Sequence, residues 1–309
     1  MKKILQIGIL GVALISAYQS KAQQQVMFTQ YMFNLLALNP AYAGSTEALS
    51  ATFLSRHQWV GIDGAPNTQT LSVHSPIRKN KIALGLMFLR DKIGIDTQNG
   101  VFGSYAYRIH IGEKRHIAMG LQFGFTDFRS NFSEIAGRTT DPDPNFMSDE
   151  VRAFLPNIGT GFFYNTDRLY AGFSVPFLLN SFVEGSTNGS LGAEQVRHWF
   201  FMAGYVFDIN HNLKLKPSGL LKVVKGAPME LDVNANLIID DKVWVGLSWR
   251  SFDSIDLLFE LQLNNQLKLG YAYDITTSAL GRVNNGSHEF MLQYLLAFSK
   301  DRVVTPRYF

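Results

Sequence analysis

The sequence predicts an all-β fold: a transmembrane antiparallel β-barrel of about fourteen strands with an N-terminal plug segment. Three observations predict it: alternation of apolar and polar residues in nearly every segment, an N-terminal export signal, and connections that alternate between tight and long. The alternation is clearest from 241 to 274. Val243, Val245, Leu247 and Trp249 alternate with Trp244, Gly246, Ser248 and Arg250. Ile255, Leu257, Phe259, Leu261 and Leu263 then alternate with Asp256, Leu258, Glu260, Gln262 and Asn264. After a turn at Asn265, Leu267, Leu269, Tyr271 and Tyr273 alternate with Lys268, Gly270, Ala272 and Asp274. A period of two gives each strand one apolar face. With little helix to cover so much one-sided surface, the apolar faces point to lipid and the polar faces to a closed lumen.

The chain has 309 residues, 46% of them hydrophobic and 13% aromatic, with 24 Phe, 12 Tyr and 26 Gly, a profile that suits a barrel with aromatic girdles. Net charge is +3 with the basic residues scattered, which leaves no nucleic-acid footprint. The absence of cysteine excludes disulfides, lipoprotein anchoring, thiolate metal sites and cysteine nucleophiles.

In chain order, residues 1–22 read as a signal peptide. Lys2 and Lys3 precede an apolar run from Ile4 to Ala17, and Ser20-Lys21-Ala22 supplies small residues for a cut before Gln23. The run is shorter than the roughly 20 residues a membrane span needs. Residues 23–45 form the plug segment. Phe28, Tyr31, Met32, Leu35 and Leu36 fall at helical spacing until Asn39-Pro40, which predicts a short helix or an irregular plug ahead of the first strand. The barrel occupies 46–300, with strands expected at 48–58, 67–75, 80–91, 98–110, 114–129, 154–165, 168–177, 197–209, 212–224, 230–239, 242–250, 255–264, 266–275 and 287–299. Residues 301–309 are a tail.

The spacers at 76–80, 111–114, 166–167, 209–211, 240–241 and 265 are tight. Those at 58–66, 92–97, 130–153, 178–196, 225–229, 251–254 and 276–286 are longer and alternate with them. Short periplasmic turns and longer outer loops explain the sorting, with the long set facing out. On this reading Ile82, Leu84, Leu86 and Phe88 face lipid, as do Ile117, Met119, Leu121, Phe123, Leu231, Val233, Ala235 and Leu237. The lumen collects Arg108, Gln122, Lys214, Lys216, Lys222, Asp232, Asn234, Asn236, Arg250, Asp256, Glu260, Gln262, Lys268 and Asp274, whose opposed charges can pair across neighbouring strands. Glycines within strands are expected to relieve crowding at barrel bends.

Two motifs follow the signal: Gln30-Tyr31-Met32-Phe33-Asn34 and Asn39-Pro40-Ala41-Tyr42-Ala43-Gly44. They resemble the N-terminus of the PorP/SprF family, outer-membrane barrels of the type IX secretion and gliding systems. Arg56, Gln58, Trp59, Gly61, Gly64, Ala65, Pro66 and Thr68 are similar to that family's first strand and first outer loop, and Pro306-Arg307-Tyr308-Phe309 to its tails. Leu35 departs from the pattern, where many relatives carry Pro. The resemblance implies an accessory barrel that supports export or surface retention of a dedicated adhesin-like protein carrying a C-terminal sorting domain. It also implies association with type IX secretion components and outer-membrane lipid. Gln30, Tyr31, Phe33, Asn34, Asn39, Pro40, Tyr42, Gly44, Arg56, Trp59, Gly61 and Pro66 are the candidate plug or partner-binding residues.

Patterns for chemistry fail one by one, so the chain is expected to be no enzyme and to use no cofactor. His57, His74, His110, His116, His198, His211 and His288 lack metal-ligand spacing. Asp141-Pro142-Asp143-Pro144-Asn145 begins like a calcium loop, but Phe146 replaces the required Gly and Arg152 the bidentate Glu, leaving only a looser ion site with Asp149 and Glu150. Gly246-Leu247-Ser248-Trp249-Arg250 lacks the second Gly of a nucleophile elbow. The alternative reading is a channel for hydrophobic solutes like FadL, whose family shares the strand count, an N-terminal hatch and an Asn-Pro-Ala motif, here Asn39-Pro40-Ala41.

Overall fold

The computed structural model describes residues 25–78, 81–112, 114–131, 150–183 and 193–296. The expected signal peptide, the calcium-like run 141–145 and the tail 301–309 lie outside them. Fourteen antiparallel strands form the wall. They are β1 Leu49–His57, β2 Asn67–Arg78, β3 Ile82–Ile93, β4 Asp96–Gly112, β5 Arg115–Asn131, β6 Glu150–Asn165 and β7 Leu169–Val175. Then come β8 His198–Tyr205, β9 Leu213–Val224, β10 Glu230–Ile239, β11 Val243–Arg250, β12 Ser254–Gln262, β13 Leu267–Thr276 and β14 Ser287–Leu296. Each strand pairs with its sequence neighbours, and β1 pairs with β14 from Leu49↔Leu296 to His57↔His288. That last ladder closes the wall, as a sheet in lipid must close to leave no unpaired edge. Two short pieces stand apart: Ser181–Val183 pairs with Ala193–Gln195, and Phe207–Asp208 extends the ladder onto β9.

The period of two sets the facing, because successive side chains leave a strand on opposite sides. Leu84, Leu86, Phe88, Met119, Leu121, Phe123, Leu231 and Val233 are exposed on the outer surface. Arg108, Gln122, Lys216, Lys222, Asp232, Asn234, Asn236, Arg250, Asp256, Glu260, Lys268 and Asp274 are buried on the inner one. The opposed charges do pair between neighbouring strands: Arg250 with Asp232 at 3.0 Å and Lys222 with Glu230 at 2.7 Å.

Three details differ from the sequence reading. Ile93 and Asp96 are themselves a ladder pair, so the connection at 94–95 is tight although it stands at the long-loop end. Gly94, at φ +58°, takes the left-handed conformation that such a turn needs. The strict alternation of spacer lengths therefore breaks here, because β3 and β4 continue their pairing into what had read as loop, and again at 251–253, which is shorter than the short-turn connection 263–266 that follows it. Secondly, of the short helix and the irregular course that the spacing left open, residues 31–42 take the irregular one, as three 3₁₀ turns, Tyr31–Phe33, Leu35–Ala37 and Pro40–Tyr42. Thirdly, the inner face is not uniformly polar. Leu54, Met87, Phe102, Phe163, Phe200, Leu258 and Met291 are buried in one apolar cluster with Phe28, Tyr31, Met32, Leu35 and Leu36. These wall residues point inward because the N-terminal segment lies there and presents its own apolar side chains.

A candidate functional site in the barrel lumen

The N-terminal segment enters at the long-loop end and leaves at the short-turn end. Gln25 donates its backbone N–H to Nε2 of His198, at the start of β8 (3.4 Å), while Gly44 contacts His74 near the far end of β2. Irregular backbone inside a membrane barrel has to find partners for its own N–H and C=O groups. The wall supplies them in two different ways.

At the long-loop end the partners are charged. Glu289 on β14 accepts the backbone N–H groups of Thr29 and Gln30, both at 2.8 Å. The Thr29 hydroxyl donates to Asp274 on β13 (2.8 Å) and accepts from Arg56 Nη1 (2.6 Å). Arg56 in turn pairs with Asp274 at 2.7 Å and Glu289 at 3.1 Å. Arg250 pairs with Asp232 and donates Nη2 to the carbonyl of Phe28 at 3.2 Å. Arg56, Arg250, Asp232, Asp256, Asp274 and Glu289 are all essentially inaccessible to solvent. Within this ionic collar four carboxylates thus face two guanidinium groups. Beyond the arginines, Thr29 and Gln30 supply donors to Asp274 and Glu289, and Ser254 supplies one to Asp256, which lowers the cost of burying the carboxylates.

Midway down, the Tyr31 hydroxyl accepts from Asn234 Nδ2 at 2.8 Å, and burial pushes its phenol well above the ordinary tyrosine range. Phe33 packs edge-on against Trp244 at 5.3 Å. Lys216 and Lys268 stand 5.3 and 4.8 Å from the Phe33 ring centroid, and Lys268 lies 4.1 Å from that of Trp244. Aromatic faces hold ammonium groups by their quadrupoles. The Asn34 side chain reaches Thr70 at 3.4 Å.

At the short-turn end the wall makes room by lacking side chains. Asn39 caps the third 3₁₀ turn, accepting from the backbone N–H of Ala41 at 2.9 Å, with Pro40 at the first position as helix starts favour. Its amide donates to the carbonyl of Phe162 on β6 at 3.0 Å. A Cβ on Gly161 would fall 2.1 Å from Asn39 Oδ1, and one on the cross-strand Gly120 would fall 2.2 Å from the backbone nitrogen of Ala41. These glycines admit the Asn39-Pro40-Ala41 backbone, so their part is close approach and not relief of a bend. Tyr42 packs edge-on against His74 and Phe163. Gly44, at φ +74°, donates to His74 Nδ1 (3.1 Å) and accepts from Arg108 Nη1 (2.7 Å), and a Cβ there would collide with Ala83.

The sequence-predicted residues therefore separate. Gln30, Tyr31, Phe33, Asn34, Asn39, Pro40, Tyr42, Gly44 and Arg56 are brought together in the lumen, all buried. Trp59, Gly61 and Pro66 lie at the outer rim. Trp59 is half-buried at φ +45°, and its N–H donates to Ser287 Oγ at 3.1 Å. Gly61 is exposed at φ +101°, and the buried Pro66 accepts from the N–H of Gln58. Leu35, the departure from the family pattern, is buried in the second 3₁₀ turn. Sequence reasoning missed Thr29, Glu289, Gly120 and Gly161. The available signal was phase: Gly120 and Glu289 fall on the inward beat of their strands, between outward Met119 and Leu121 and before outward Phe290.

Among solved structures the chain is similar to outer-membrane proteins of low identity. The Acinetobacter baumannii outer membrane protein Omp33 is 10% identical over 81% of this chain and 98% of its own, with a TM-score of 0.47. A Pseudomonas aeruginosa FadL homologue is 12% identical over 91% and 96%, with a TM-score of 0.47. The monoaromatic hydrocarbon channel CymD is 12% identical over 89% and 94%, with a TM-score of 0.49. A comparison with curated protein sequences gives no significant match. The family described as type IX secretion system membrane protein PorP/SprF matches residues 20–294, which span the N-terminal segment and nearly all of the barrel. With its closed wall of fourteen strands, the chain is an outer-membrane β-barrel and belongs to the PorP/SprF family of the type IX secretion system.

Proposed function

We propose that this chain is a non-enzymatic accessory barrel that binds one dedicated secreted protein, adhesin-like and bearing a C-terminal sorting domain, and supports its export or its retention at the cell surface. In this reading residues 25–45 close the lumen, and the cargo does not pass through it. Family membership supports the link to secretion. What supports the rest is a set of contacts: buried side chains from Phe28 to Tyr42 meet inward residues from β1 around the wall to β14, and in this reading they fill the lumen. A barrel filled in this way acts through its surfaces, and the rim residues Trp59 and Gly61, held in left-handed backbone, are the first candidates for contact.

The test is covalent cross-linking in native outer membranes followed by affinity purification of the tagged full chain. Recovery of one large surface protein, or of type IX components, is expected, together with loss of that surface protein when the gene is deleted. Purification of the barrel with lipid or hydrophobic solutes alone, and unchanged surface proteins in the deletion strain, would replace the proposal with a transport role.

A further inference from the structure

We propose that the ionic collar is a latch: it holds the outer half of the N-terminal segment in the lumen and is the end that lets go. This deepens the closure reading above and rests on it. The two ends of the segment are not equivalent. Its short-turn end is joined covalently to β1 at Leu49 and seated on Gly120 and Gly161, so it cannot leave without unravelling the wall. Its long-loop end is held by exchangeable bonds around Phe28, Thr29 and Gln30: two N–H groups on Glu289, one hydroxyl shared by Asp274 and Arg56, and one carbonyl on Arg250. The collar sits one residue from the strand ends, since Arg56 and Glu289 are a ladder pair directly below His57↔His288. Water, or a partner at the mouth, reaches this end first.

Composition of the collar favours release over collapse. Asp274 and Glu289 each keep Arg56 as a partner when Thr29 withdraws, and Asp232 keeps Arg250. The wall therefore remains paired in both states, as a two-state element requires, and differential contacts at the mouth bias the equilibrium. Release frees residues 25–30 toward the long-loop side, where a secreted partner would meet them.

The experiment uses the full chain refolded in planar bilayers, with heat-modifiable migration as the check on folding. Thr29→Val and Glu289→Gln each weaken the latch while keeping side-chain size. The open fraction in single-channel records is expected to rise about 10–100-fold, the population change for one hydrogen bond to a charged group. In parallel, Gln25→Cys should react faster with a membrane-impermeant maleimide in the Thr29→Val background, while Tyr42→Cys stays protected in both. Deletion of residues 25–45 separates the two ideas. If the deletion conducts and the latch variants do not, the latch is wrong and closure stands. If the folded deletion conducts no better than the full chain, closure itself fails. Should the variants not fold, amide exchange on the unaltered protein decides: Thr29 and Gln30 exchange before Ala41 and Ala43 if the latch is right, and after them if it is wrong.

Discussion

Two sectors of the inner wall hold one segment by opposite means. On β5 and β6 the wall subtracts: Gly120 and Gly161 remove side chains, so backbone meets backbone and Asn39 bonds directly to the strand carbonyl of Phe162. On β1, β13 and β14 the wall adds: Arg56, Asp274 and Glu289 reach inward and satisfy Thr29 and Gln30 through charge. Close approach gives shape and permanence, since nothing but the matching backbone fits the space. Charge-assisted bonds give strength with exchangeability, because each partner retains another when one withdraws. A lumen segment fixed at one end and negotiable at the other follows from that difference.

The comparison breaks most readily at Glu289. Glu289→Ala removes the acceptor of two buried N–H groups and one of the two carboxylates on Arg56, so a loss of about 3–5 kcal/mol is expected, as for other broken buried pairs. The midpoint of urea unfolding, followed by the gel shift of the folded barrel, reads this. A loss below that of a surface substitution would show that the collar holds nothing.

Next in size is the outer surface, which tests whether the inner contrast sits in a membrane wall at all. Leu257, exposed in the middle of β12, is expected to cost about 2–4 kcal/mol as Leu257→Arg if it lies near the bilayer midplane. Tolerance of that charge during refolding into lipid would place the apolar face elsewhere.

The subtractive sector should give a smaller effect. Gly120→Val drives a side chain into the backbone at Ala41 and is expected to cost about 1–3 kcal/mol, the range for overpacked sites. Gly103, on β4, is the control: a Cβ there meets nothing closer than the Phe123 carbonyl at 3.8 Å, and Gly103→Val should leave the unfolding midpoint nearly unchanged. Equal effects at the two glycines would remove the distinction between a seat and an ordinary strand glycine.

Much of the wall was legible in the sequence because lipid imposes a simple rule. Leu84, Leu86 and Phe88 face out for the same reason that Asp232, Asn234 and Asn236 face in, and a period of two reports both. The tight connection at 94–95 was not legible, since Gly94 and Asp96 are poor strand formers that read as loop, and Asp96 joins β4 only because Ile93 pairs with it. The lumen segment was half legible. Its apolar spacing over Tyr31 to Leu36 suits a helix, yet three 3₁₀ turns form, and the wall takes up the Phe33 carbonyl that a helix would keep for itself, through the side chain of Gln293. Glu289 and Gly120 escaped notice because their partners lie 260 and 79 positions away in the chain, a distance no local pattern spans.

The finest test lies between the two sectors, at Tyr31. Its phenol is buried and accepts from Asn234, and burial raises its pKa, so the neutral form is the one the lumen favours. A group with a raised folded pKa gives its full stabilisation below its unfolded pKa, about 10 for tyrosine, and loses it as pH climbs beyond. Ultraviolet phenolate titration of the folded barrel should therefore show Tyr31 ionising after the exposed tyrosines, with the late phase of the buried tyrosines smaller by one residue in Tyr31→Phe. The substitution deletes the acceptor from Asn234 and should cost about 0.5–1.5 kcal/mol at neutral pH. Above the ordinary tyrosine range the gap between the two proteins should close and then reverse, because only the tyrosine has a proton to lose on unfolding. A gap that stayed constant through alkaline pH would mean that water reaches Tyr31, and that the segment midway down the lumen is held no more tightly than its mouth.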